Sequence, residues 1–162
     1  QYKGEAHFLR GLYYFNLVRL FGDVPWIDKQ QTASDDLQVS RTSKDIVYQH
    51  IIDDFSDAAS MLPAVYENTT DIGRATKGAA FGLLAKVYLT LKRYNETLVA
   101  IDSVTNLGVY SLNRKYEWNF SDLRENGPES LFEVQYEKDV TAYSEFDILG
   151  QGGWHHEYMY SF

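Results

Sequence analysis

Residues 73–108 read GRATKGAAFGLLAKVYLTLKRYNETLVAIDSVTNLG, and their spacing decides the fold. Ala80, Leu83, Leu84, Val87, Tyr88 and Leu91 fall at helical intervals and form one apolar stripe. Thr76 is placed to cap that helix, because its hydroxyl can accept from a free amide of the first turn. Gly78, Ala79, Ala80, Gly82 and Ala85 keep one side thin, so a neighbouring helix can approach closely. Lys92-Arg93-Tyr94-Asn95 forms the turn. In the second helix Tyr94, Leu98, Ile101 and Val104 with Thr105 are expected to face inward. Gly108 suits the left-handed residue that ends a helix.

A helix, a tight turn and a second helix in about 34 residues is the spacing of a tetratricopeptide unit. Phe81, Leu84, Ala85 and Tyr88 match its first helix. Thr97, Ile101 and Val104 occupy second-helix positions, with Thr where Ala is usual.

Working outward, residues 5–21 (EAHFLRGLYYFNLVRLF) are apolar almost all round, which predicts a helix buried on most sides. Gly22 and Pro25 stop it. Residues 24–41 show no period and are read as a long loop anchored by Trp26 and Ile27. Thr42 and Asp45 have capping-box spacing before a helix that ends at Pro63. Its inner stripe is Val47, Ile51, Phe55, Ala58 and Leu62, with Lys44, Asp53 and Asp57 toward water. The chain thus divides into a helix pair over 5–62, a second over 74–108, and a strand-and-loop region over 109–162. Stacking the pairs buries faces that neither buries alone. Arg74, at the start of the second pair, is placed to pin the two pairs together.

After Gly108 the pattern changes. Tyr110-Ser111-Leu112 reads as extended. Tyr116, Trp118 and Phe120 alternate, as in a loop or short strand, and Asn126-Gly127-Pro128 is a turn. Leu131 to Tyr136 alternates as a strand, with Phe132, Val134 and Tyr136 on one face. Residues 138–162 are polar, Gly-rich and aromatic, and are read as irregular loop. The fold class is mainly α: tetratricopeptide-like helix pairs, a short strand and long irregular loops.

The formal net charge of −8 and the lack of a basic cluster argue against nucleic-acid binding. There is no cysteine, which excludes disulfides, Cys-ligated zinc and a thiol nucleophile. No GxSxG, P-loop or GxGxxG occurs. The acid pairs Asp35-Asp36 and Asp53-Asp54 are neighbours on a loop and a solvated helix face, not carboxyls on opposite sides of a bond. His155-His156 lacks the spacing of a metal site. The chain is read as non-enzymatic, with no metal and no cofactor.

Trp154 is the strongest ligand candidate. A sugar ring presents an apolar C–H face and a rim of hydroxyls, so it suits an aromatic face with hydrogen-bonding groups at its edge. Trp154 follows two glycines that allow close approach, and His155 and His156 lie beside it. Tyr143 and Tyr158 are further candidates on the same loop. Trp26 and Trp118 are assigned to packing.

Three blocks, FLRGLYYFNLVRLFGDVPWI (8–27), residues 73–104 and PESLFEVQY (128–136), together resemble the SusD/RagB family of Bacteroidetes. The resemblance covers roughly residues 4–137, and SRTSKDIVYQHIIDDFSDAASMLP between the blocks fits it too. It implies a non-catalytic surface lipoprotein of the outer membrane. Such a protein binds glycan for uptake through a SusC-like TonB-dependent transporter. The resemblance also implies a lipid anchor not present in these residues, so the chain is read as one partial SusD-like domain over 1–162. In the family, loops rather than helix pairs hold the ligand, which again points to residues 152–154. The alternative is a tetratricopeptide-like adaptor that binds a protein or peptide.

Overall fold

The computed structural model describes residues 1–32 and 38–135. Four helices carry it: α1 (Tyr2–Phe21), α2 (Lys44–Met61), α3 (Lys77–Thr90) and α4 (Tyr94–Asn106). Each packs on the next, so the second helix pair stacks on the first through α2 and α3. Short 3-10 turns lie at Thr69–Asp71, Tyr116–Phe120 and Asp122–Arg124.

The α2 stripe is the centre of the core. Val47, Ile51, Phe55, Ala58 and Leu62 are all buried, against Phe8, Leu12 and Phe15 of α1 and Ala79, Ala80 and Leu83 of α3. Each large apolar side chain fully buried there stabilises by about 1.5–3 kcal/mol. Gly11 lets Phe55 close on α1: a Cβ at that position would lie 3.0 Å from the ring. Phe8 takes Phe55 edge-on at 5.9 Å and Phe132 at 4.9 Å, which draws the later chain onto the same core.

The helix ends follow the sequence in most places. Thr76 caps α3 by accepting from the Ala79 N–H at 3.1 Å. Gly22 and Gly108 sit at φ 69° and 68°, where a side chain is strained. The α2 cap differs from expectation. Ser43, not Thr42, is the N-cap position and makes no side-chain cap bond. Asp23 supplies the acceptor instead, taking the Lys44 N–H at 2.8 Å. The Thr42 N–H donates to the Val24 carbonyl at 3.0 Å, so the two ends of the 25–41 segment are tied side by side.

Three expectations about faces are corrected. Among the described residues helix α1 is buried on one face. Phe8, Leu12, Phe15 and Val18 are inside, whereas Tyr13, Leu20 and Phe21 are exposed. Helix α4 turns the opposite way from its reading. Thr97 and Ala100 are buried, while Tyr94, Leu98 and Ile101 remain 59%, 61% and 47% exposed. The thin Thr97/Ala100 side is the one α3 can approach closely, and the Thr97 hydroxyl is satisfied by the Arg93 carbonyl at 2.9 Å. Lastly, the small residues of α3 do not all face a helix. Gly78 receives the Tyr110 ring and Gly82 the Leu131 side chain.

Residues 131–135 form no strand among the described residues, and Tyr136 lies outside them. The alternation is still visible. Phe132 packs on the core, while Glu133 and Gln135 both bond Asn126. Tyr116, Trp118 and Phe120 fall in or beside a 3-10 turn rather than a strand, with Tyr116 and Phe120 edge-to-face at 5.1 Å.

Candidate functional site

Three constellations of polar and aromatic side chains stand out. The first surrounds Asp54. This carboxylate is 2% exposed, not on a solvated face as its pairing with Asp53 suggested. Arg10 grips it with two bonds, Nε to Oδ2 at 2.8 Å and Nη2 to Oδ1 at 2.6 Å. His7 Nδ1 lies 2.7 Å from Oδ1. Burial of a charge is tolerated because it is paired and hydrogen-bonded. His7 and Arg10 are three apart on α1, so one helix face delivers both.

The second is Trp26. His50 stacks on it at 4.5 Å and 13°, Tyr14 lies at 4.3 Å, and the Arg10 guanidinium lies 4.9 Å from the ring centre. The Tyr14 hydroxyl accepts the Ile27 N–H at 2.9 Å. Trp26 is therefore an anchor for the loop start, as its sequence setting implied, and not an open platform. Trp118 is likewise engaged, with Arg124 3.8 Å from its ring centre.

The third is a surface cleft of about 250 Å³ between the α2–α3 connector and the 126–133 turn. Arg74 forms one wall. Its guanidinium donates to both Glu5 oxygens, at 2.7 and 2.9 Å, and to Asp71 at 2.8 Å. This joins the start of α1 to the connector, the pinning expected of Arg74. Burial pushes the Glu5 carboxyl up, but hydrogen bonds from Arg74, Gln1 and Tyr66 outweigh it and hold it below its ordinary value. The Tyr66 hydroxyl donates to the Ala75 carbonyl at 2.9 Å. Burial, with the Glu5 charge beside it, pushes that phenol up to about 12. Opposite, the Tyr110 and Thr76 hydroxyls are 2.9 Å apart, and the Ser111 N–H donates to the Pro128 carbonyl at 2.9 Å. Every wall is thus held by bonds within the protein.

Trp154, Tyr143, His155 and Tyr158 lie outside the described residues, as does the Asp35-Asp36 pair. Among the described residues no group of three His, Asp or Glu is placed to hold a metal ion, and no helix is long and apolar enough to cross a membrane. The cleft was not anticipated, apart from Arg74. Its residues come from separate segments, and no local spacing signals their meeting.

Residues 1–89 match the family described as "Starch-binding associating with outer membrane". A SusD-like protein of Formosa agariphila is 27% identical over 149 residues, 92% of this chain and 28% of that protein. A SusD-like protein of Bacteroides ovatus is 32% identical over 144 residues, 82% of this chain and 26% of that one. Among solved structures, a SusD-like protein from Bacteroides fragilis gives a TM-score of 0.76 at 36% identity, covering 86% of this chain and 28% of that one. A structure titled a laminarin-binding SusD-like protein gives 0.73 at 31% identity, covering 81% and 30%. The chain therefore spans less than a third of the length of these relatives.

Proposed function

Because this chain belongs to the SusD-like family, we propose that it is the helix-pair part of a non-catalytic glycan-binding protein of the outer membrane. The protein captures an oligo- or polysaccharide at the cell surface, held there by a lipid anchor. A SusC-like TonB-dependent transporter then takes the ligand up. The match to the laminarin-binding protein at 31% identity supports this reading most directly. In it, α1 to α4 are scaffold, and the late aromatic loop with Trp154, Tyr143, His155 and Tyr158 supplies contacts to the glycan.

One feature of the described residues is consistent with capture rather than hydrolysis. Asp54 is tied by Arg10 and His7, so Asp53-Asp54 offers no free carboxyl pair.

Affinity electrophoresis through gels containing laminarin, starch or other polysaccharides tests the proposal. Retardation by one glycan, lost in Trp154→Ala, is the expected result. Retardation unchanged by that substitution moves the binding surface away from the late loop. Release of sugar products on long incubation would contradict the non-catalytic role. No retardation by any glycan would turn the reading to a helical-repeat adaptor, for which the exposed side of α4 is available.

A further inference from the structure

We propose that the cleft between the α2–α3 connector and the 126–133 turn binds a single hexose ring of a glucan, apart from the late aromatic loop. This inference rests on the glycan-binding reading.

Size limits the occupant. A cleft of about 250 Å³ falls below the ~300–1,000 Å³ of sites for drug-sized ligands, so it seats one ring and leaves the rest of a longer chain in solvent. The lining limits its chemistry. Val65, Ile72 and Val109 are 58%, 54% and 39% exposed at the cleft, an amount of aliphatic surface that suits the C–H face of a sugar. Carboxylates stand beside them. Among the described residues Asp71 engages Arg74 through Oδ1, and Glu133 takes the Asn126 N–H through Oε2. The second oxygen of each is an acceptor for a ring hydroxyl.

Charge argues against the other small ligands. An anion would meet Asp71 and Glu133, and the one guanidinium in the wall is already shared between Glu5 and Asp71. A metal ion would need a third ligand from His, Asp or Glu, and no such group of three exists among the described residues. A neutral polyol needs acceptors and apolar surface, which is what the cleft contains. The walls are bonded in place through Tyr66, Arg74, Tyr110 and Pro128, so little ordering is required on binding.

The test uses the whole chain with labelled Ile and Val methyl groups, titrated by NMR with laminarihexaose and with maltohexaose. Saturable shifts of the Val65, Ile72 and Val109 methyls by one of these, with Val99 and Ile101 on α4 unmoved, are expected. Ile72→Trp, which narrows the mouth, should weaken that binding at least fivefold while the α4 signals keep their positions. Equal shifts at α4, or none at the cleft, would overturn the site. Retardation by polysaccharide in the same sample separates the two readings. A retarded protein with silent cleft methyls loses the cleft and keeps glycan capture. Cleft shifts without retardation keep the cleft and count against capture of polymer.

Discussion

Arg74 holds Glu5 through both carboxylate oxygens, at 2.7 and 2.9 Å, across 69 positions of sequence. The bond closes the seam between the start of α1 and the connector that leads into α3. Its pH dependence follows from the Glu5 carboxyl, which lies below its ordinary value of 4.5 in the folded state. A lowered folded value means that the unfolded chain binds the proton more readily. The contribution is then fully present above about pH 4.5 and is lost as pH falls through the folded value. Thermal melts from pH 7 to pH 3 should show a smaller acid loss in Glu5→Gln than in the native chain. Equal slopes would remove Glu5 from the acid response.

Asp54→Ala should lower stability by about 2 kcal/mol. Removing one member of a fully buried pair costs about 3–5 kcal/mol. The lower figure applies here because the Arg10 side chain stays 32% exposed and can be solvated. For a chain of this size that is a fall of about 4–8 °C in Tm. Urea melts of Asp54→Ala, Arg10→Ala and the double variant check it. The two single losses should not add, since each breaks the same bond.

Gly78→Ala should destabilise by about 1–3 kcal/mol, because the new methyl would sit within 2.6 Å of the Tyr110 ring. Tyr110→Ala in the same chain should recover part of the loss by clearing the space. Gly82→Ala meets only the end of the flexible Leu131 side chain, so its cost should be smaller. Equal losses at the two glycines would contradict this account of what presses on α3.

Tyr66 gives a spectroscopic signature. Its phenol stays protonated until about pH 12, whereas an ordinary tyrosine ionises near 10. Burial raises the Tyr48 phenol too, so ultraviolet titration of the folded chain should show late tyrosine ionisation that is reduced, not abolished, in Tyr66→Phe. A raised folded value also implies that this group's contribution is present below pH 10 and declines as pH rises toward 12.

How far the fold was legible depended on whether a pattern named a partner. The α2 stripe and the α3 stripe were read correctly because each contains one apolar face and that face is buried. Helix α4 has two candidate faces. Period alone favoured the larger side chains, Tyr94, Leu98 and Ile101, but close approach by α3 favoured the smaller Thr97 and Ala100. Helix α1 is apolar all round, which predicts burial on most sides, yet among the described residues its neighbours lie on one side. The cap on Lys44 was illegible for a different reason: its acceptor, Asp23, is supplied by chain 21 positions earlier. Arg74 was found from the glycine turn before it. The rest of the cleft was not, since Tyr66, Asp71, Tyr110 and Glu133 meet only after the helices stack.

The tie between Val24 and Thr42 closes the segment between them into an excursion with fixed ends. Entry and exit are fixed by the backbone bridge, by Asp23 on Lys44 and by Trp26 under His50. Doubling the length of such a closed excursion costs only about 0.6 kcal/mol. An insertion placed past the Trp26 and Ile27 anchors leaves this closure of the ends in place.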